Sequence, residues 1–188
     1  MNALLPGFAA ATDAQTCFRA LLEAMSHPGR IMRIGTALTP PQGLCVAAAG
    51  ILLTLADSTT GISLTEELQA AKDWLVFHTG ARLTAAPTAD FVLATERRKL
   101  ETLRQGTHDA PEAGATLILQ LPSFEAGRRV RLSGPGIETA TSLDLPLDAA
   151  FLPEWQAQRL RNPAGIDVLL CAADQVIALP RSLTMEAI

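Results

Sequence analysis

Lysine is almost missing from this chain: Lys72 and Lys99 are the only two among fifteen basic residues, which leaves thirteen arginines. Arginine is the better bidentate partner for carboxylate or phosphate, so the bias reads either as compositional or as the mark of a phosphate-rich partner. Cysteine is also sparse. Cys17, Cys45 and Cys171 are odd in number and widely spaced, which fits reduced thiols used in packing better than a disulfide or C-x-x-C framework. Long apolar runs are absent too. The longest, Leu44 to Ala56, falls short of the ~20 residues that a membrane-crossing helix requires, and reads as a buried helix. No basic residue precedes the short apolar stretch within Met1 to Ala11, so no cleaved signal peptide is expected and the cytoplasm is the expected location. Nineteen acidic against fifteen basic residues give a net charge of −4, which carries no nucleic-acid footprint. None of His27, His78 and His108 has a second ligand at zincin or zinc-finger spacing, so no metal site is expected.

What remains is an ordinary globular composition. With 48% hydrophobic and 18% charged residues in 188, the chain is expected to form one domain over residues 1–188. Ala110 to Leu121, A-P-E-A-G-A-T-L-I-L-Q-L, organises it. A Gly/Pro entry leads into an uncharged run in which Leu117, Leu119 and Leu121 share one face while Thr116, Ile118 and Gln120 share the other. That is the pattern of a central strand covered on both sides. Ahead of it, Thr12-Asp13-Ala14-Gln15 has the capping-box form. A helix is therefore expected from Thr12, with Phe18, Leu21, Leu22 and Met25 as its apolar stripe and Ser26-His27-Pro28-Gly29 as its stop. Arg30 to Ile34 reads as a strand, and the buried helix at Leu44 to Ala56 carries small residues, Ala47 to Gly50, that admit a close neighbour. Ile62 to Leu64 reads as a short strand and Thr65 to Lys72 as a helix. Trp74 to His78 and Phe91 to Thr95 read as strands, and Glu96 to Gln105 as an exposed charged helix. Beyond the central strand, Arg128 to Leu132 alternates as a strand and Leu143 to Pro153 is a connection. Glu154 to Arg161 is a short helix stopped by Asn162-Pro163, and Ile166 to Cys171 with Gln175 to Leu179 forms an antiparallel hairpin. The sum is α/β, a mixed sheet with helices packed on it.

Four residues are candidates for holding an anion or ligand. His78 stands at an expected strand end, where open α/β sheets place ligands. Arg129 and Arg131 share a strand face roughly 7 Å apart, a spacing that suits neighbouring phosphates. Arg181 follows the last strand of the hairpin. Two structural alternatives stand beside these: a satisfied histidine for His78, and a solvated edge face for Arg129 and Arg131. His27 reads as a capping histidine at a helix C-terminus, where the macrodipole favours an imidazolium, and His108 as a loop residue. Ser133-Gly134-Pro135-Gly136 has the glycines of an anion-binding nest but matches neither G-x-G-x-x-G nor the Walker pattern, and a turn suffices. With no G-x-S-x-G and no paired nucleophile and base, no catalytic residue is assigned.

Several segments, taken together and in order, resemble a known family. They are F-R-A-L-L-E-A-M-S-H-P-G (Phe18 to Gly29), L-L-T-L-A-D (Leu52 to Asp57), F-H-T-G-A (Phe77 to Ala81) and A-P-E-A-G-A-T-L-I-L-Q (Ala110 to Gln120), followed by R-L-S-G-P-G-I (Arg131 to Ile137), G-I-D-V-L-L (Gly165 to Leu170) and I-A-L-P-R (Ile177 to Arg181). The family is PhnH, the H subunit of the bacterial carbon-phosphorus lyase core complex. The resemblance implies a protein of phosphonate degradation that works with subunits G, I and J of that complex, with ATP-binding-cassette-type subunits associated. The first stage of that machinery displaces adenine from MgATP by an alkylphosphonate, giving a ribose 1-phosphonate 5-triphosphate; a later stage cleaves the carbon-phosphorus bond. The resemblance also implies a fold related to pyridoxal-phosphate-dependent transferases without their cofactor, and a homodimer. A pyridoxal enzyme needs a Schiff-base lysine, and neither Lys72, beside a helix end, nor Lys99, in a charged run, suits a desolvated site. A structural and interaction subunit is therefore the leading expectation. The alternatives are a nucleotide- or phosphonate-binding subunit using His78, Arg129, Arg131 and Arg181, and a stand-alone small-molecule-binding α/β domain.

Overall fold

The elements of the chain follow from where its apolar residues repeat, and a computed structural model describes residues 5–35 and 37–188; the first four residues of the Met1 to Ala11 stretch lie outside this range. In order they are α1 (Ala11–Ser26), β1 (Ile31–Arg33), α2 (Val46–Leu55), β2 (Gly61–Leu64), α3 (Lys72–Thr79), β3 (Arg82–Leu83) and β4 (Phe91–Ala94), then β5 (Thr116–Gln120), β6 (Arg128–Ser133), β7 (Thr141–Leu145), α4 (Phe151–Arg159), β8 (Asp167–Ala172), β9 (Gln175–Leu179) and β10 (Thr184–Ala187).

Seven strands make one mixed sheet in the order β1-β9-β8-β5-β4-β2-β3, and β10-β6-β7 make a second, antiparallel one. In the large sheet β5 is flanked by β4 and β8, both parallel to it. The pairing of β8 with β9 and of β9 with β1 is antiparallel, so β9 alone runs against the other six strands. The expected central strand is therefore central. Its two faces feed two cores: Ile118, with Ile62, Leu93 and Leu169, packs under α1 to α3, while Leu117 and Leu119, with Val92, Val168 and Leu170, pack against the small sheet and α4. The fold is α/β with helices on a mixed sheet, as the sequence indicates.

Local chemistry explains the departures. Trp74 to His78 is helix α3, not a strand: Trp74 and Leu75 are buried while Val76 and Phe77 are exposed, a helical distribution with no alternation. A 3-10 stretch, Glu66–Ala71, runs directly into it. Glu96 to Gln105 is not a helix either. It is an extended segment with one 3-10 turn at Leu100–Thr102, held by its charges: Arg97 donates to Asp148 at 2.6 Å and to Glu154 at 2.5 Å, while Leu100 and Leu103 are buried. Charges committed to distant partners cannot form a solvated helical face. Part of the expected connection at Leu143 to Pro153 is occupied by β7 and by the start of α4, where Pro153 sits in the first turn and needs no donor.

Helix α1 begins one residue earlier than expected and with a different cap. Asp13 accepts from the Ala10 amide at 3.0 Å, and Thr12 supplies only a carbonyl, to Thr16. The expected stripe also rotates. Cys17, Leu21 and Ala24 are buried, whereas Phe18 and Leu22 are exposed. The small residues of α2 do admit a close neighbour: a Cβ on Gly50 would stand 3.1 Å from the Gly35 Cα and 3.3 Å from Cys17 Sγ.

Candidate functional site

The four predicted ligand residues are not brought together. His78 lies on α3 with its Nε2 2.9 Å from the carbonyl of Leu5, which also accepts from Trp74 Nε1 at 2.7 Å, and its ring is edge-on to Trp74 and Phe77. It anchors the N-terminal segment. Arg181 follows β9, and because β9 runs against its neighbours it emerges beside the N-terminal end of β8. There it donates to Asp167 through Nε at 3.2 Å and Nη2 at 2.6 Å, and also to the Pro111 carbonyl. Arg129 and Arg131 do share an exposed face, but on β6, the middle strand of the small sheet rather than an edge, and Arg129 is paired with Asp144 at 3.2 Å. His78, Arg181 and Arg129 each have a partner within the fold, in the Leu5 carbonyl, Asp167 and Asp144. Among the described residues no group of three metal-ligating side chains converges, and no helix is long and apolar enough to cross a membrane.

A cleft that the motifs alone did not assign opens between two turns remote in sequence. It measures about 210 Å³ and is lined by His27, Pro28, Gly29, Arg30, Gly136, Ile137, Glu138, Thr139 and Thr141. One wall is the turn that ends α1; the other is the turn joining β6 to β7. Their contact requires glycine. Gly29 has φ +85° and a Cβ there would meet Leu132, while Gly136 has φ +84° and a Cβ would run into the Ser26 carbonyl and Pro28. His27 closes α1 as expected, and its Nδ1 lies 3.1 Å from Glu23 Oε1, 3.2 Å from the Glu23 carbonyl and 3.2 Å from Ser26 Oγ. A proton on Nδ1 directed at Glu23 leaves Nε2 as the ring's free acceptor. Arg30 is largely exposed and only 4.0 Å from the same carboxylate. Guanidinium, imidazole and two threonine hydroxyls suit a polar, oxygen-rich group, with the carboxylates of Glu23 and Glu138 offsetting part of the positive charge.

The C-terminal ends of the parallel strands, where open α/β sheets place their ligands, hold a different chemistry. Gln120, the last residue of β5, accepts from the Cys45 amide at 2.7 Å and donates to the Gly43 carbonyl at 2.6 Å, fixing the entry to α2. Just beyond β2, two strands away, Thr65 Oγ1 is buried and, apart from its approach to the Glu67 carboxylate, has no hydrogen-bond partner among the described residues. The Glu67 carboxyl is held below its ordinary range by its own backbone amide first, then by Thr65 and Thr95.

The sequence profile of a family described as bacterial phosphonate metabolism protein, PhnH, matches residues 6–186. The chain belongs to the PhnH family. It is 33% identical over 181 residues to the alpha-D-ribose 1-methylphosphonate 5-triphosphate synthase subunit PhnH of Rhizobium meliloti (strain 1021), covering 93% of this chain and 90% of that protein. It is also 34% identical over 173 residues to a protein of Stutzerimonas stutzeri provisionally described as C-P lyase subunit protein HtxG, covering 89% of this chain and 83% of that one.

Two of the segments that carry the PhnH likeness, S-H-P-G and S-G-P-G-I, are the two walls of the cleft. Read singly, the first is a helix stop and the second a turn. The signal that could have joined them was their shared Pro-Gly pair: two turns built for close backbone approach are candidates for approaching each other.

Proposed function

We propose that this chain is an accessory subunit of the carbon-phosphorus lyase machinery. It supports transfer of the ribose triphosphate of ATP to an alkylphosphonate with release of adenine, the ribose 1-methylphosphonate 5-triphosphate synthase reaction. The observation that carries the reading is likeness along almost the whole chain to a protein named as a subunit of that synthase. Its partners in this reading are the G, I and J subunits, and free in the cytoplasm it forms a homodimer. It is a single domain that binds no cofactor of its own, MgATP being substrate of the complex.

The relation to pyridoxal-phosphate-dependent transferases belongs to the same proposal. It is supported by a large sheet in which a single antiparallel strand interrupts a parallel set. Both Lys72 and Lys99 are exposed, which fits poorly with the desolvated amine of a Schiff base and favours a fold without that chemistry. An aldimine absorbance band that disappears on changing either lysine would contradict it.

Copurification tests the main reading. Tagged chain co-expressed with the other core subunits is expected to bring down G, I and J together; recovery of the tagged chain alone ends the proposal. The cleft favours a second reading, in which the chain contributes a contact to the nucleotide or phosphonate. Titration of the isolated protein with ATP and with methylphosphonate is then expected to show saturable binding that weakens roughly tenfold in Arg30→Ala, the loss of one charge-assisted contact. Of the residues first considered, Arg131 is the one exposed beside no partner that already occupies it among the described residues, and Arg131→Ala belongs in the same titration.

A further inference from the structure

The cleft between the S-H-P-G and S-G-P-G turns has walls of opposite charge. On one wall His27 and Arg30 belong to a single turn, closed by the Arg30 amide donating to the His27 carbonyl at 3.2 Å. On the other, Glu138 follows a turn closed by the Ile137 amide on the Gly134 carbonyl at 3.1 Å, and Thr139 and Thr141 lead from it into β7. Gly136 is packed so closely on the Ser26 carbonyl that the two turns are fixed against each other. The charges across the gap are not spent on one another. Among the described residues Glu138 makes no ion pair, and the acidic partner of Arg30 is Glu23 on its own wall, at 4.0 Å. Between them lies a volume of about 210 Å³, the space of about seven waters.

We propose that this cleft binds a zwitterion, an aminoalkyl phosphonate, with its phosphonate oxygens on Arg30 and His27 and its ammonium group on Glu138. Glu138 is then the residue that selects this class over phosphonates with a plain alkyl tail. The proposal rests on the second reading above, in which the chain contacts nucleotide or phosphonate. Of the two ligands it chooses the phosphonate, and it adds which phosphonates are favoured.

The side chains divide the work by their chemistry. The Arg30 guanidinium has the planar fork that meets two oxygens of a tetrahedral phosphonate. His27 Nδ1 is occupied by Glu23 at 3.1 Å, so Nε2 is the ring atom left for a ligand oxygen. The hydroxyls of Thr139 and Thr141 can donate to an oxygen or accept from an ammonium group. Glu138 decides between tails. Facing a plain alkyl phosphonate, its carboxylate finds nothing to bind and repels the anion; an ammonium group turns that repulsion into attraction. The same inventory disfavours a triphosphate. Arg30 is offset by Glu23 and faced by Glu138, so a polyanion meets no surplus of positive charge, whereas a zwitterion of small net charge matches both walls.

The test is a pair of phosphorus NMR titrations of the full chain at neutral pH, with 2-aminoethylphosphonate and with ethylphosphonate, which has the same two carbons and no amine. The amino compound is expected to saturate about threefold to fivefold more tightly, the worth of one partly exposed charge pair. Glu138→Gln is expected to weaken 2-aminoethylphosphonate and to strengthen ethylphosphonate, a crossing that a merely structural change in an exposed turn does not produce. Arg30→Ala should weaken both. If ethylphosphonate binds and loses affinity in Arg30→Ala while the amine brings no gain, the cleft is a phosphonate site and the zwitterion proposal is overturned. It is overturned equally if Glu138→Gln shifts the two ligands in the same direction. If neither ligand saturates, the proposal and the reading beneath it fail together.

Discussion

The two ends of the parallel sheet are built to opposite ends. At the N-terminal ends of the strands, charged groups are consumed by the fold: Arg181 grips Asp167 at β8, and Asp90 ahead of β4 takes the Gly61 amide at 2.6 Å and the Arg104 guanidinium. At the C-terminal ends, among the described residues, no such lock closes the middle of the sheet. A neutral amide, Gln120, fixes α2, and Cys171 of β8 stands in register beside it. The difference teaches that a charged residue at a strand end is evidence of a ligand site only once the direction of the strand is known.

The comparison breaks first at Arg181. Its side chain and that of Asp167 are 16% and 17% exposed, and Arg181→Ala leaves the Asp167 carboxylate only the backbone amide of residue 181, at 2.7 Å, so the change is expected to cost about 2 to 3 kcal/mol by urea denaturation. Gln120→Ala, at the other end, removes two hydrogen bonds to backbone and is expected to cost about 1 to 2 kcal/mol. Equal losses at the two positions would mean that the ends are not differently built.

Acid sharpens the contrast with a charge cluster away from both ends. Burial pushes the Asp148 carboxyl up, but the hydrogen bond and charge of Arg97, with the amides of Ala150 and Phe151, carry it below its ordinary 3.8. Folding therefore favours the carboxylate; that contribution is complete above 3.8 and is lost as pH falls through the folded value. Thermal melts between neutral and strongly acidic pH should show a shallower decline in Asp148→Asn than in the parent. The smallest effect is expected at Arg129, whose pairing with Asp144 is half-exposed on both sides: Arg129→Ala should change stability by no more than about 0.5 kcal/mol.

Where the pattern was local and uninterrupted, it could be read. The alternation of Thr116 to Gln120 marked a strand with two covered faces, the Ala-rich run marked a buried helix, and the Ala173-Asp174 turn marked a hairpin, with Ala173 at φ 50°. Trp74 to His78 was not legible, because a short apolar run has no period long enough to separate helix from strand. Glu96 to Gln105 was not legible for another reason: its shape depends on Asp148 and Glu154, about fifty positions away, which no local propensity contains. The family likeness, by contrast, was legible from motif order alone.

The sequence by itself determined the class of this fold, its central strand, its buried helix and its membership of the PhnH family, because each rests on the period or order of residues along the chain. Tertiary structure alone decided which strand ends lie together, that S-H-P-G and S-G-P-G face each other across a cleft, and that Gln120 clamps the entry to α2. The physical reason is direction. One antiparallel strand, β9, sends Arg181 to the locked end of the sheet, and register between β5 and β8 sets Gln120 beside Cys171. Neither quantity is carried by any single stretch of sequence.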